Sequence, residues 1–181
     1  MRSVPNIISA FRICLVPIFI VTYFSDLRDS KIYAVLIYAV ATLSDFLDGF
    51  LARKYSASSN LGKVLDPLGD KLMIIAVMAS ITIDRLIPVW AVIVVCSKEL
   101  LMAVGGVVVH KKAGAEIPPS NIIGKVSTVV FFLACVALML FRDIPRNVAI
   151  AMISVAIALT FFALASYANT FVSVMKKNNK G

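Results

Sequence analysis

The chain is poor in charged and reactive side chains. Only 15% of its 181 residues are charged, ten are acidic and one is histidine, whereas 60% are hydrophobic. Soluble domains use roughly half apolar residues, so this composition excludes an ordinary soluble domain and indicates an integral membrane protein. The single histidine, His110, falls at the end of an apolar stretch, and we expect it to be interfacial rather than catalytic.

Cysteine pairs and internal repeats are also missing. Cys14, Cys96 and Cys135 are isolated inside apolar stretches, which predicts small hydrophobes rather than disulfides or metal ligands. The chain shows no internal repeat and no low-complexity segment. Many transporters are built from repeats, so this absence disfavours a small cation-coupled transporter, the main non-enzyme alternative.

Long apolar stretches are abundant. A stretch of about 20 residues crosses the hydrocarbon core of a bilayer. We therefore predict an all-α, polytopic membrane protein with six transmembrane helices in one domain, residues 1–181, and a possible short N-terminal interfacial helix over Met1–Phe11 that Pro5 would start. The predicted spans are Ile7–Phe24, Ile32–Leu51, Val64–Ile83, Pro88–Val109, Ile122–Phe141 and Val148–Val174.

The basic residues predict the orientation. The net charge of +8 is better explained by membrane topology than by a nucleic-acid partner. We expect the protein to lie in the plasma membrane with both termini in the cytoplasm. Thirteen basic residues then lie in or near the cytoplasmic half and five lie outside. The five are Arg28, Lys31, Arg85, Arg142 and Arg146.

Four of the ten acidic residues fall within one short stretch. Asp45 and Asp48 are three residues apart and Asp66 and Asp70 are four apart, so on helices each pair shares a face. Carboxylates beside a membrane are costly unless paired or bound to a cation, which indicates a functional site. Four close carboxylates would repel one another, and Mg²⁺, Mn²⁺ or Ca²⁺ would relieve that repulsion. We name these four residues the signature aspartates.

The neighbours of the signature aspartates suit a phosphate ligand. Gly49 lets a ligand approach the backbone closely, and Arg53 can grip a phosphate with a fork of donors. Asp70 is the best candidate for a general base that takes a proton from a hydroxyl. Pro67 disfavours helix at Asp66, so we expect the helix to start or bend there. A lone D-x-x-D-G could instead be a helix cap or an ion pair. Eight positions between Asp45 and Asp70 fit one pattern in order, however, which favours a functional site.

These positions resemble the signature of the CDP-alcohol phosphotransferases. Every fixed position of D-x-x-D-G-x-x-A-R-x8-G-x-x-x-D-x-x-x-D is present: Asp45, Asp48, Gly49, Ala52, Arg53, Gly62, Asp66 and Asp70. The segments from Pro5 to Arg12 and at Gly124-Lys125 further resemble the bacterial phosphatidylglycerophosphate synthase branch, so the resemblance covers essentially the whole chain.

The resemblance implies a reaction and a set of site residues. It implies transfer of the phosphatidyl group of CDP-diacylglycerol to the hydroxyl of glycerol 3-phosphate, and a homodimer in the lipid bilayer. The signature aspartates would bind two divalent ions, Mg²⁺ or Mn²⁺, and Asp70 would be the catalytic base. The residues implied to bind the CDP-lipid are Gly49, Ala52, Arg53, Ser59, Gly62 and Asn6.

The acceptor side departs from that branch. Where the branch suggests an Arg-Glu pair the chain has Lys98-Glu99, and Gly-Lys-x-Lys-Thr is replaced by the run 124–128, Gly-Lys-Val-Ser-Thr. Lys125, Lys98 and Arg12 are the candidate acceptor-binding residues. Lys98 has a structural alternative as a Lys–Glu bridge across helices, and Arg12 either snorkels to headgroups or reaches the diphosphate. The acceptor stays open between glycerol 3-phosphate, phosphatidylglycerol as in cardiolipin synthases, and a polyol or serine.

Overall fold

The structure is a computed structural model that describes the backbone of residues 4–55, 62–113, 122–141 and 143–178. It describes side chains over residues 10–44, 69, 71–102, 122–141 and 143–166. All regular structure in this part is helical, which confirms the all-α prediction. The six helices are α1 (Val4–Tyr23), α2 (Ser30–Tyr55), α3 (Gly62–Ile83), α4 (Val89–Ala113), α5 (Ile122–Leu140) and α6 (Arg146–Asn178).

The first and third helices begin differently from the prediction. α1 runs continuously from Val4 to Tyr23, so the predicted interfacial segment and the first span form one helix, with Pro5 in its first turn. α3 begins at Gly62, four residues before Asp66. Pro67 has no N–H to donate to the carbonyl four residues earlier, and its ring crowds that carbonyl. The helix nevertheless continues through the Asp66-Pro67 step instead of starting at it.

Two helices have the length and composition of membrane spans. They are α5 and the part of α6 from Arg146 to Ser166. The described apolar segments of α1, α2 and α3 are shorter, Ala10–Tyr23, Ser30–Ser44 and Lys71–Ile83. Two of the six predicted spans thus meet this criterion within the described residues.

The chain divides into two compact units, and the first contains Met1–Asp84 with Met139–Arg142. In it α1 packs against α2 and α3, and α2 also contacts α3. Buried side chains recur three or four residues apart on each helix, as helix geometry favours. Among them are Leu15, Phe19 and Tyr23 on α1, Ala34, Tyr38 and Ala41 on α2, and Met73, Ala76, Val77 and Ile81 on α3.

The second unit contains Arg85–Leu138 and Asp143–Gly181, and in it α4 packs against α6. Small side chains such as Ala91, Ala149 and Ala156 are buried there, which lets helix backbones approach closely. All three cysteines are free thiols: Cys135 is fully buried, Cys96 is partly buried and Cys14 is exposed.

Candidate active site

A cluster of three side chains, Tyr23, Lys31 and Asp84, lies at one end of the first unit. The Tyr23 hydroxyl donates a 2.8 Å hydrogen bond to Asp84 Oδ2, and Lys31 Nζ lies 3.3 Å from the same oxygen. Lys31 Nζ also donates a 2.8 Å hydrogen bond to the Tyr23 carbonyl oxygen and lies 3.2 Å from the centroid of the Tyr23 ring. In this Tyr23–Lys31–Asp84 cluster one carboxylate meets one ammonium group, so the two charges balance.

The Tyr23–Lys31–Asp84 cluster also fixes the directions of three helices. Tyr23 is the last residue of α1, Lys31 is the second residue of α2, and Asp84 directly follows α3. The end of α1, the start of α2 and the end of α3 therefore meet. Consequently α2 runs antiparallel to α1 and α3. The first half of α1, the second half of α2 and the first half of α3 share the opposite end of the unit.

The signature aspartates occupy positions at that opposite end and at matched heights. On α2, Asp45 and Asp48 are 14 and 17 residues beyond the lysine of the cluster. On α3, Asp70 and Asp66 are 14 and 18 residues before the aspartate of the cluster. At 1.5 Å per residue, Asp45 and Asp70 are each about 21 Å from the cluster, and Asp48 and Asp66 are about 26 Å from it. Two helices in contact thus carry the four positions at two shared levels.

The two aspartates of α2 also continue a buried stripe of that helix. Ala34, Tyr38 and Ala41 are buried at successive spacings of four and three residues. Positions 45 and 48 follow at spacings of four and three, along the same line of the helix surface. The line along which α2 meets its neighbours is therefore apolar near the Tyr23–Lys31–Asp84 cluster and carries aspartate positions beyond it.

Arg12 is a buried cation on α1 in the same half of the unit. Its side chain is 1% exposed and continues the buried stripe of Leu15, Phe19 and Tyr23. An arginine that snorkelled toward lipid headgroups would expose its side chain. The burial of Arg12 excludes that alternative.

The Arg12 side chain lies against Gly69 of α3. A Cβ atom added to Gly69 would be 3.6 Å from Arg12 Cβ, 3.6 Å from Arg12 Cδ and 3.4 Å from Ile13 Cγ1. Gly69 directly precedes Asp70 and follows Asp66 by three residues. The glycine therefore allows the arginine to run along the turn of α3 that carries two of the signature aspartates.

The other predicted site residues of this unit are placed by their backbone alone. Their side chains, including those of the signature aspartates, lie outside the described side chains, and Ser59 lies outside the described residues altogether. Among the side chains that the structure does describe, no three His, Cys, Asp or Glu residues gather into a metal site. The helical positions are Asn6 in α1, Asp45, Asp48, Gly49, Ala52 and Arg53 in α2, and Gly62, Asp66 and Asp70 in α3.

Lys98 and Glu99 form an ion pair on α4, in the second unit. Lys98 Nζ and Glu99 Oε1 are 2.5 Å apart, and the two side chains are 13% and 12% exposed. Adjacent helix residues do not face each other, so these long side chains bend toward one another to pair. This ion pair joins neighbouring residues of α4. Lys125, the other predicted acceptor residue of this unit, is exposed in the first turn of α5.

Two features escaped the sequence-based prediction, the Tyr23–Lys31–Asp84 cluster and the contact of Arg12 with Gly69. The cluster joins Tyr23 to a residue 61 positions away, and no local pattern reports such a pairing. The contact had one signal, a glycine inside a helix next to Asp70, because a small residue lets two membrane helices approach closely.

Comparison with known proteins places the chain in a family. The family model described as CDP-alcohol phosphatidyltransferase matches residues 2–170. A Bacillus subtilis (strain 168) protein named "CDP-diacylglycerol--glycerol-3-phosphate 3-phosphatidyltransferase" is 33% identical over 152 residues, covering 77% of this chain and 78% of the relative. A Sodalis glossinidius protein of the same name is 28% identical over 179 residues, covering 91% and 92%.

A third relative carries a different name. The Streptomyces coelicolor protein "Cardiolipin synthase (CMP-forming)" is 34% identical over 134 residues, covering 70% of this chain and 60% of the relative. The family model spans nearly the entire sequence, including all eight signature positions and Arg12. The chain therefore belongs to the CDP-alcohol phosphatidyltransferase family.

Proposed function

We propose that this protein transfers the phosphatidyl group of CDP-diacylglycerol to the hydroxyl of glycerol 3-phosphate, giving phosphatidylglycerophosphate and CMP. The observation that carries this proposal is the arrangement of the first unit, where two antiparallel helices hold the signature aspartate positions at shared levels. Family membership supports the reaction class, and the names of the Bacillus subtilis and Sodalis glossinidius relatives support the acceptor.

The donor set fits divalent metal ions. Four aspartates offer only hard oxygen ligands, which suit Mg²⁺ or Mn²⁺ and leave coordination positions for phosphate oxygens. Enzymes of this family generally depend on divalent metal ions. In our proposal Asp45, Asp48, Asp66 and Asp70 hold two such ions, which when bound neutralise the diphosphate and the departing CMP.

Asp70 is the proposed catalytic base. It accepts the proton of the acceptor hydroxyl while the hydroxyl oxygen forms a bond to the β-phosphorus of CDP-diacylglycerol. The bond from that phosphorus to the oxygen shared with CMP breaks, and CMP leaves with the electron pair. Asp70 is the last signature position along the chain and follows Gly69, the glycine that contacts Arg12.

The CDP-lipid is proposed to bind along the end of the first unit that carries the signature. Gly49 and Ala52 keep the helix surface small where the nucleotide approaches, and Arg53 offers a fork of donors to a phosphate oxygen. Asn6 shares this end of the unit, since it lies in the first half of α1. The remaining proposed contacts to the nucleotide are Ser59 and Gly62.

Lys98 and Lys125 are proposed to bind the phosphate of the acceptor. Lys98 is largely buried and already paired with Glu99, so it would bring less net charge than a lone lysine. That pairing, with the replacement of expected basic residues and the relative named as a cardiolipin synthase, favours phosphatidylglycerol as the second candidate acceptor.

We further propose six transmembrane helices in a plasma membrane, with the signature end of the first unit facing the cytoplasm. The excess of basic residues on that side supports this orientation. A homodimer is proposed from the family resemblance. CDP-diacylglycerol would then reach the site from the bilayer, and a water-soluble acceptor would reach it from the cytoplasm.

The test is CMP release by the purified protein in detergent, with CDP-diacylglycerol, Mg²⁺ or Mn²⁺, and one acceptor at a time. The acceptors are glycerol 3-phosphate, phosphatidylglycerol, serine, inositol and inositol phosphate. We expect release with glycerol 3-phosphate. Release with phosphatidylglycerol alone would move the protein to the cardiolipin synthase reaction. Folded protein that releases no CMP with any acceptor would contradict the proposal and favour a transporter.

A further inference from the structure

Arg12 is a permanent positive charge inside the first unit. Arginine stays protonated in proteins, and an uncompensated buried charge is strongly destabilising. The unit contains seven acidic residues, so the counter-charge of Arg12 can be sought by elimination. They are Asp26, Asp29, Asp45, Asp48, Asp66, Asp70 and Asp84.

Three of the seven are at the wrong end of the unit. Asp84 is held in the Tyr23–Lys31–Asp84 cluster, and Asp26 and Asp29 are exposed in the turn that follows α1 at that end. Arg12 lies 11 residues before Tyr23, which places it about 16 Å along α1 from the cluster. The acidic positions on the Arg12 side of the unit are the signature aspartates.

The contact with Gly69 brings Arg12 to two of these positions. Both Cβ and Cδ of Arg12 run along Gly69, so the arginine side chain follows the surface of α3 beside Asp66 and Asp70. Consecutive Cα atoms are about 3.8 Å apart, so the Asp70 backbone adjoins this contact. Within the first unit, the burial of Arg12, its contact with α3 and the elimination of the other acids all indicate the same partner group.

We infer that Arg12 is a positioning residue that supplies a fixed counter-charge to the signature aspartates and holds them together when divalent ions are absent. This role differs from the acceptor-binding role suggested for Arg12 by the sequence. The inference rests on the proposed function, because it assumes that the signature aspartates bind divalent ions. Arg12 lowers the repulsion among four carboxylates while the site is empty, and it opposes ion binding because it is itself a cation.

Removing the charge should therefore have two opposite effects. The metal-free protein becomes less stable, because the carboxylates lose a compensating charge. The affinity for a divalent ion rises, because the ion no longer meets a nearby cation. At a separation of a few ångströms the second effect should be at least about tenfold in Kd.

The experiment compares Arg12→Met, Arg12→Lys and Phe19→Leu with the wild type, as full-length protein in detergent. The thermal midpoint is measured in EDTA and in saturating Mg²⁺, and the Kd for Mn²⁺ is measured by the loss of the free-ion EPR signal. For Arg12→Met we expect a midpoint about 5 °C or more below wild type in EDTA, most of it recovered in Mg²⁺, and tighter Mn²⁺ binding. Arg12→Lys keeps the charge and should lie near wild type.

Phe19→Leu is the matched control on the same buried stripe of α1. It should lower the midpoint equally in EDTA and in Mg²⁺, because it alters packing alone. A second pair of variants changes Gly69 on α3. Gly69→Ala should be tolerated, because the added Cβ makes ordinary van der Waals contacts, whereas Gly69→Leu should displace Arg12 and reproduce the metal-linked pattern of Arg12→Met.

The inference is overturned if Arg12→Met loses the same stability in both buffers, unfolds in both, or binds Mn²⁺ no more tightly than wild type. The proposed function fails in a different way. If wild-type protein neither binds Mn²⁺ nor gains stability from Mg²⁺, the metal site itself is absent, and the role of Arg12 falls with it. If Mg²⁺ stabilises the wild type and the Arg12→Met variant equally, and both bind Mn²⁺ equally well, only the role of Arg12 is refuted.

Discussion

The two ends of the first unit both combine acidic and basic residues, in different proportions. At one end, Asp84 pairs with Lys31 and accepts a hydrogen bond from the Tyr23 hydroxyl. At the other end, α2 and α3 bring four aspartate positions to two shared levels, and Arg12 is the buried cation on α1. At the first end the Asp84 carboxylate is paired with the Lys31 ammonium group, whereas the second end carries four aspartate positions and the buried Arg12.

We propose that this difference separates a structural cluster from a functional one. A balanced and hydrogen-bonded cluster favours one arrangement of the helices. In the proposed site, four close carboxylates repel one another until a divalent cation binds, and that cation can in turn bind phosphate oxygens. Substitutions at the two ends should therefore have opposite effects on stability and activity.

The largest expected effect is that of Asp70→Asn. Loss of the proposed base should lower kcat for CMP release by about a thousandfold, within the range that general bases contribute. The thermal midpoint in EDTA should stay at the wild-type value or rise, because one repelling carboxylate is removed. The measurement is CMP release alongside thermal unfolding. Turnover at the wild-type rate would remove Asp70 from the mechanism.

Lys98→Met should have the next largest effect, on the acceptor. The loss of a charge-assisted hydrogen bond to a phosphate costs about 1.5–3 kcal/mol, so KM for glycerol 3-phosphate should rise roughly tenfold or more. The KM for CDP-diacylglycerol should remain unchanged. Glu99→Gln is the matched control, because it removes the partner of Lys98 without removing the cation. If the KM for glycerol 3-phosphate is unchanged in Lys98→Met, the Lys98–Glu99 pair has a structural role only.

Asp84→Asn should affect stability and spare the chemistry. The carboxylate accepts from Tyr23 and pairs with Lys31, and its side chain is only 15% exposed, so its loss should cost about 1–3 kcal/mol. Tyr23→Phe removes one hydrogen bond and should cost about 1 kcal/mol. Both variants should have lower thermal midpoints, with kcat within about twofold of wild type once folded. A fall in kcat as large as that of Asp70→Asn would show that the two ends are not separable.

Arg85→Gly should have the smallest effect, and it should be stabilising. Arg85 lies in the turn after α3 with a φ of 60°, the left-handed conformation that glycine adopts without steric cost. The gain should be at most about 1 kcal/mol, since glycine also increases the entropy of the unfolded chain. The thermal midpoint is the readout. A lower midpoint would indicate that the Arg85 side chain contributes a stabilising contact.

The helical class and the candidate site could be predicted because their signals are local. A composition of 60% hydrophobic residues excludes a soluble domain, and eight fixed positions within residues 45–70 identify the family signature. The helix periodicity also predicted that each aspartate pair shares a face. The motif and the helix periodicity both involve residues that are close together in the chain.

The remaining features depend on contacts between distant residues. The salt bridge of Lys31 with Asp84, and the contact of Arg12 with Gly69, join different helices and leave no periodic pattern. The helix was expected to start or bend at Asp66, because Pro67 disfavours helix at the preceding residue, whereas α3 begins at Gly62, two residues before the predicted span of Val64–Ile83. A Lys–Glu bridge across helices was the structural alternative for Lys98, whereas its ion pair with Glu99 joins neighbouring residues of α4.

The most direct test of the central claim is the product balance of purified protein given CDP-diacylglycerol and glycerol 3-phosphate, with Mg²⁺ and then with EDTA. CMP and phosphatidylglycerophosphate are quantified together by mass spectrometry. The account predicts equal amounts of the two products in Mg²⁺ and neither in EDTA. CMP without the lipid product, or product formation that EDTA leaves unchanged, would contradict a metal-dependent phosphatidyl transfer at the signature aspartates.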